Sequence, residues 1–374
     1  MIRNTGVEKV LKNIWIVFPS DTLANDKTVT LTDTSERDDN MRKAFTNTSS
    51  VRVKVPDTRV PMTRWSITDA ELEQAGFKPH NAEDFKDFCV SDWHDEVFLK
   101  METGSHVWLH GPAGSGKNLV ADYIAYVTNR PYVVISPKVG ANPNDSIKTV
   151  RLENGSTIEK LGEIAKAIQG VEIERNGEKI KVPAVICWSD ADRCPPETLE
   201  LLREALEVGK GWIADPCGGA PIRVMKGTQF ILTANRGLDG DGGRGNITAP
   251  LDSALMTRSR AVRSVNPSRE WLIKALMKTL SDLNHSDADL LVSAHECVKD
   301  ASEQLGLGNL EVTLRDMIGA GKEFVMLSEL GMDRRESLEF AMKGLTSKLA
   351  DENNYEPIES SFAHLGDQLN PIDR

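Results

Sequence analysis

The chain lacks any apolar stretch long enough to cross a membrane. The longest run near its N-terminus, Ile14 to Phe18, is also too short for the core of a secretory signal. Cysteine is sparse. The five present (Cys89, Cys187, Cys194, Cys217, Cys297) form no CxxC pair and no repeated spacing. That excludes a zinc ribbon or a disulfide framework and suits reduced thiols in a cytosol. An excess of basic charge is missing too: 45 Lys and Arg stand against 56 Asp and Glu, a net charge of −11. Affinity for nucleic acid comes mainly from cations that neutralise phosphates, so the balance opposes a nonspecific nucleic-acid binder. No internal repeat or low-complexity tract is present. A cytoplasmic location is expected, with neither membrane nor nucleic acid as a partner.

What remains is an ordinary globular composition, 40% hydrophobic and 27% charged over 374 residues, enough for two domains. Four textures follow one another. Residues 1–65 are polar and Thr-rich, with one alternating run, Val51 to Val55, that predicts a strand. Pro56, Pro61 and later Pro79 predict an extended crossing into the next region. Residues 66–266 alternate short β-rich runs with helical segments, opening at a Thr68–Glu71 capping-box pair. The runs at 106–111, 132–136, 184–188, 229–235 and 260–265 are almost continuously apolar, as in parallel strands buried on both faces. Residues 267–350 read as helices near 268–283, 286–304, 312–329 and 333–349. Residues 351–374 carry more acid than base without periodicity, which predicts a mobile tail.

The strongest motif is GPAGSGK, made of Gly111, Pro112, Ala113, Gly114, Ser115, Gly116 and Lys117. It follows a strand and opens a helix. Glycines let successive N–H groups curl around phosphates, the helix N-terminus adds partial positive charge, and Lys117 supplies a point charge. The next residue should carry a hydroxyl to ligate Mg²⁺, but it is Asn118, whose amide oxygen is a different kind of metal ligand. A second segment, AVICWSDADR (184–193), ends a strand in acids. A third, QFILTAN, places Asn235 at another strand end.

AVICWSDADR resembles the LLLDEIDRAPP segment of MoxR-type proteins. QFILTAN with the following GLDGDGGRG resembles the sensor 1 stretch of CobS-like proteins. Together with the phosphate loop, over residues 70–345, the chain resembles ring-forming AAA+ ATPases of the MoxR and CobS-like (dynein-related) group. That resemblance implies an α/β fold: a P-loop three-layer αβα sandwich of strand order 5-1-4-3-2, followed by a helical lid, with a small N-terminal β-containing segment. It sets Ser189 where the Mg²⁺-linked Asp belongs and Asp190 where the catalytic Glu belongs, leaving Asn118 and Asp190 as candidate metal ligands. Asn235 becomes sensor 1. Arg258, with Arg260 as the alternative, becomes an arginine finger acting on a neighbouring subunit. Arg315 becomes sensor 2 on the lid. Residues 150–168 and 211–229 match two insertions that would meet a substrate.

The implied cofactors are ATP and Mg²⁺. The implied assembly is a homo-oligomeric ring, a hexamer, that hydrolyses ATP to remodel a client protein alongside a partner with a von Willebrand A domain. Two alternatives stay open: a hydrolysis-poor subunit using ATP as an assembly switch, and a nucleic-acid motor of McrB or phage type.

Overall fold

The computed structural model describes residues 50–112, 114–136, 143–153, 156–194, 196–235, 253–265, 267–306, 313–346, 356–361 and 365. The chain divides into two units, Met1–Lys43 and Ala44–Arg374, and the described residues all lie in the second. Most of the predicted 1–65 extension is therefore outside the described residues.

The described chain opens with an antiparallel hairpin of β1 (Ser50–Lys54) and β2 (Pro61–Trp65). The sequence predicted β1 but read the prolines after it as an extended crossing. Pro61 instead begins the second strand, a position where its missing N–H costs little. Helix α1 (Asp69–Gln74) starts at Thr68, and Thr68 and Glu71 form the reciprocal capping box that the sequence predicted. Then come α2 (Asp92–Glu102), β3 (His106–His110), α3 (Lys117–Thr128) and β4 (Tyr132–Ile135).

Two hairpins, β5 (Lys148–Glu153) with β6 (Ser156–Leu161) and β7 (Val171–Arg175) with β8 (Glu178–Val182), flank α4 (Glu163–Ile168). The chain continues through β9 (Val185–Trp188), α5 (Pro196–Ala205), the short pair β10 (Trp212–Ile213) and β11 (Ile222–Arg223), and β12 (Gln229–Ala234). Helix α6 (Ser253–Arg258) and β13 (Ser259–Arg263) close the region.

Five strands form one parallel sheet in the order β13-β3-β12-β9-β4. Numbered within the core this is 5-1-4-3-2, the order implied by the resemblance. Side chains alternate between its faces. Val107, Leu109, Val185, Cys187 and Ile231 pack with Val120, Ala121 and Ile124 of α3. Trp108, Ile186, Trp188, Phe230 and Leu232 pack on the other side with Ile164, Ile168 and Leu202. Both faces are covered, so the strands read as continuous apolar runs.

The remaining helices are α7 (Arg269–Thr279), α8 (His285–Gln304), α9 (Leu314–Glu329) and α10 (Arg334–Thr346). They share a second core around Leu276, Leu291, Phe324 and Met342. Ile358 and Leu365 are buried in that core. The predicted tail is thus corrected here: residues 356–361 are helical, and two isolated apolar anchors need no periodicity to dock. Among the described residues no helix is long and apolar enough to cross a membrane.

Arg175 at the end of β7 clasps Glu71 of α1 with two hydrogen bonds, 2.5 and 2.9 Å, and donates a third to Ser66 O. The guanidinium holds the Glu71 carboxyl down to about 2, against an ordinary 4.5. A depressed carboxyl stabilises the fold above its unfolded value, and that gain is lost as pH falls through the folded one. Glu71→Gln is expected to cost about 1–3 kcal/mol at neutral pH. In urea titrations from pH 7 downward, the gap to wild type should narrow below about 4.5, as linkage requires.

Candidate functional site

The phosphate loop leaves β3 between two strand ends. The Gly111 N–H donates to Ala234 O at 3.2 Å, and the next strand answers with Ser264 N–H to His110 O at 2.7 Å. Gly111 has φ 145°, and a Cβ there would lie 2.2 Å from Ser264 Oγ and 2.3 Å from Ser264 O. Only glycine fits. Gly114 and Gly116 are also left-handed, at φ 72° and 85°, and Gly116 is the N-cap of α3. A Cβ on Gly114 would lie 2.3 Å from the Cβ of Thr313. Thr313 is itself the N-cap of α9, closed by a capping box with Asp316. The loop and the lid helix therefore touch.

Lys117 is buried, and its ammonium donates to Gly111 O at 3.0 Å and Pro112 O at 2.6 Å. Ser115 Oγ lies 2.9 Å from Ser264 Oγ. Burial, then Arg263 and Lys117, push His110 below its ordinary value, so it is neutral near pH 7 and leaves the positive charge to Lys117. Ala113, a sequence-predicted loop residue, lies outside the described residues.

Asn118 sits on the first turn of α3 and faces the sheet. Residues 185, 187 and 189 share one sheet face by alternation, as do 231 and 233 of β12, and this is the α3 face. The Asn118 amide consequently meets three polar groups. Its Nδ2 donates to Ser189 Oγ at 3.0 Å, and its Oδ1 accepts from Thr233 Oγ1 at 2.7 Å. Cys187 Sγ is 3.9 Å from the same oxygen. The two positions that depart from the expected pattern, 118 and 189, are thus in direct contact. Thr233 and Cys187 were missed in the sequence, although their period-2 register with Ser189 was the available signal.

Asp190 has left-handed φ 51° and ψ 47°, and its N–H donates to Thr233 Oγ1 at 3.4 Å. Asn235 joins the two acids: its Nδ2 donates to Asp190 Oδ1 at 3.4 Å, and its N–H to Asp192 Oδ2 at 3.1 Å. The other Asp192 oxygen is buried without a hydrogen-bond partner among the described residues, and burial raises that carboxyl above its ordinary value. Lys117, Asn118, Asp190 and Asn235 are therefore brought to one end of the sheet.

Arg315 lies on the first turn of α9, exposed, two residues beyond the Thr313 cap that touches the loop. Arg258 is elsewhere. Its Nε donates to Glu207 Oε2 at 2.9 Å, with Glu204 3.8 Å away. Arg260 is exposed on β13. Residues 236–252, which hold the GLDGDGGRG stretch, lie outside the described residues.

Gly111→Ala is expected to cost about 1–3 kcal/mol, because the new methyl meets the Ser264 carbonyl as well as its side chain. Gly104→Ala is the control: its φ is also positive, 82°, but nothing lies within 4 Å. It should cost only the left-handed strain, about 1 kcal/mol. Thermal melts of both variants beside wild type should show the larger loss at Gly111→Ala.

Residues 106–258 match the family model described as AAA domain (dynein-related subfamily). One curated protein, the uncharacterized protein YojN of Bacillus subtilis (strain 168), is 26% identical over 167 residues. The match spans 44% of this chain and 48% of YojN, about half the length of that relative. Among solved structures, the Thermotoga maritima RuvB Holliday junction branch migration motor is similar at TM-score 0.43 and 16% identity, over 67% of this chain and 68% of that chain. A mutant of the same RuvB gives TM-score 0.44 and 17% identity, over 71% and 72% of the two chains. Those structural values are too low to bear on activity. The matched segment runs from β3 to the end of α6 and contains the loop, the acidic strand end and Asn235, and over residues 106–258 the chain is similar to the AAA domain family of the dynein-related subfamily.

Proposed function

We propose that the chain is an ATP-driven remodelling protein: ATP lies between the Gly111–Lys117 loop and the lid, in a homo-oligomeric ring. The observation that carries this reading is the contact of Gly114 with Thr313. A nucleotide on the loop would press against the first turn of α9, so occupancy would be felt by the lid through its N-cap and through Arg315.

The roles follow from position. Loop N–H groups and Lys117 hold the phosphates. Asp190, oriented by Asn235, would polarise an attacking water. Arg258 would leave Glu207 and enter the site of a neighbouring subunit, giving a hexamer whose activity requires assembly. Two exposed hairpins would meet a client protein. Leu152 and Ile158 of the β5–β6 hairpin are 76% and 44% exposed. Lys148 at its base is paired with Asp215 of the β10–β11 hairpin at 2.8 Å, so the two would move together. A partner with a von Willebrand A domain belongs to the same reading.

A second reading is favoured by the Asn118–Ser189 hydrogen bond: ATP as an assembly ligand with little hydrolysis. Steady-state ATP hydrolysis over a protein concentration series separates the two. The remodelling reading expects turnover that rises cooperatively with concentration, and falls about a hundredfold or more in Lys117→Ala and in Arg258→Ala. ATP-dependent assembly without turnover above the Lys117→Ala background would favour the second reading and sink the first.

A further inference from the structure

The AAA family generally binds ATP together with Mg²⁺, held between a hydroxyl after the loop lysine and a carboxylate at the acidic strand end. This chain has Asn118 and Ser189 at those positions, and they are hydrogen-bonded to each other at 3.0 Å. Thr233 Oγ1 accepts the Asp190 N–H and donates its single proton to Asn118 Oδ1. The Asn118 Nδ2 group faces Ser189.

A divalent cation does not fit this pair. The Asn118 amide oxygen has two acceptor positions, and it receives the Thr233 hydroxyl at 2.7 Å with the Cys187 thiol as a second, weaker donor at 3.9 Å. Ser189 Oγ receives the amide, and neither residue carries charge. Mg²⁺ demands near-octahedral oxygen ligands, usually with one or two carboxylates. Asp190, the other candidate ligand, already accepts the Asn235 Nδ2 at 3.4 Å.

The same substitutions suit an anion. A carboxylate at 189 without a metal would repel the phosphates, and Ser189 removes that charge. Its Oγ accepts from Asn118, so its own proton is free to donate to a phosphate oxygen.

We propose that this chain binds fully ionised, metal-free ATP, with Ser189 as a phosphate donor in place of a metal ligand. The inference rests on the reading that the Gly111–Lys117 loop binds ATP. The charge is then met by Lys117, the loop N–H groups, the N-terminus of α3 and the exposed Arg315.

Isothermal titration of the full chain with ATP, in excess EDTA and in excess Mg²⁺, tests it. The wild type should bind total ATP about tenfold or more weakly in excess Mg²⁺ than in EDTA, since the ion withdraws the metal-free nucleotide by mass action. Ser189→Asp should weaken binding in EDTA about tenfold by restoring the repulsion. Asn118→Thr with Ser189→Asp should bind about tenfold more tightly with Mg²⁺ than with EDTA. Lys117→Ala should lose binding in both. Wild-type binding that is equal in the two conditions, tightens with Mg²⁺ or appears only with it overturns metal-free binding but leaves the nucleotide reading intact. No binding in either condition, or binding that survives in Lys117→Ala, overturns both. The wild-type comparison stands alone should either variant fail to fold.

Discussion

Crowding at Gly111 constrains the phosphate-loop end of the sheet. Its N–H is spent on Ala234 O, and the space where a side chain would stand is filled by Ser264. The loop is thereby pinned to the ends of β12 and β13 at once. That pinning fixes where α3 begins, hence which α3 residues look down on the sheet. Asn118 then reaches Ser189 and Thr233, and Lys117 is held beneath its own loop by two carbonyls. Three residues further along the loop, a second crowded glycine, Gly114, meets the cap of the lid helix. Two missing side chains thus place the loop against both the sheet and the lid.

The polar network at the strand ends is neutral along one line and acidic along another. Asn118, Ser189, Thr233 and Cys187 exchange hydrogen bonds without a formal charge, since burial pushes the Cys187 thiol up to about 11. Beside them Asp190 and Asp192 share Asn235, and one Asp192 oxygen is buried without a hydrogen-bond partner among the described residues. Exchanging only one of the two altered positions would strand a partner. A lone carboxylate at 189 would face the Asn118 amide without a cation, whereas amide and hydroxyl satisfy one another. The pair makes physical sense as a unit, so the site is a coherent arrangement and not a damaged one.

Much of this was legible in the sequence. The five buried strands showed as continuous apolar runs because both sheet faces are covered, and the cap at Thr68 showed through its spacing. The order of the sheet came from the resemblance, not from periodicity. Other features were hidden for physical reasons. Strand β2 contains a proline and mixed polarity, so no alternation announced it. The anchors Ile358 and Leu365 are single residues in an acidic stretch. The Asn118–Ser189 contact joins residues 71 apart. Each alone looked like a defect, and only the register of β9 and β12 beneath α3 shows that they answer one another. The pairing of Arg258 with Glu207 depends likewise on where α5 ends.

The central claim is that phosphates, and no metal, occupy the space above Asn118 and Ser189. A crystal structure grown with a slowly hydrolysed ATP analogue and Mn²⁺, with data collected at the manganese absorption edge, tests it directly. The expected map has phosphate density over Gly111–Lys117, a phosphate oxygen within hydrogen-bond reach of Ser189 Oγ, and no anomalous peak beside the pair. An anomalous peak coordinated by Asn118 Oδ1 or Asp190, with the Asn118–Ser189 hydrogen bond broken, would contradict the account.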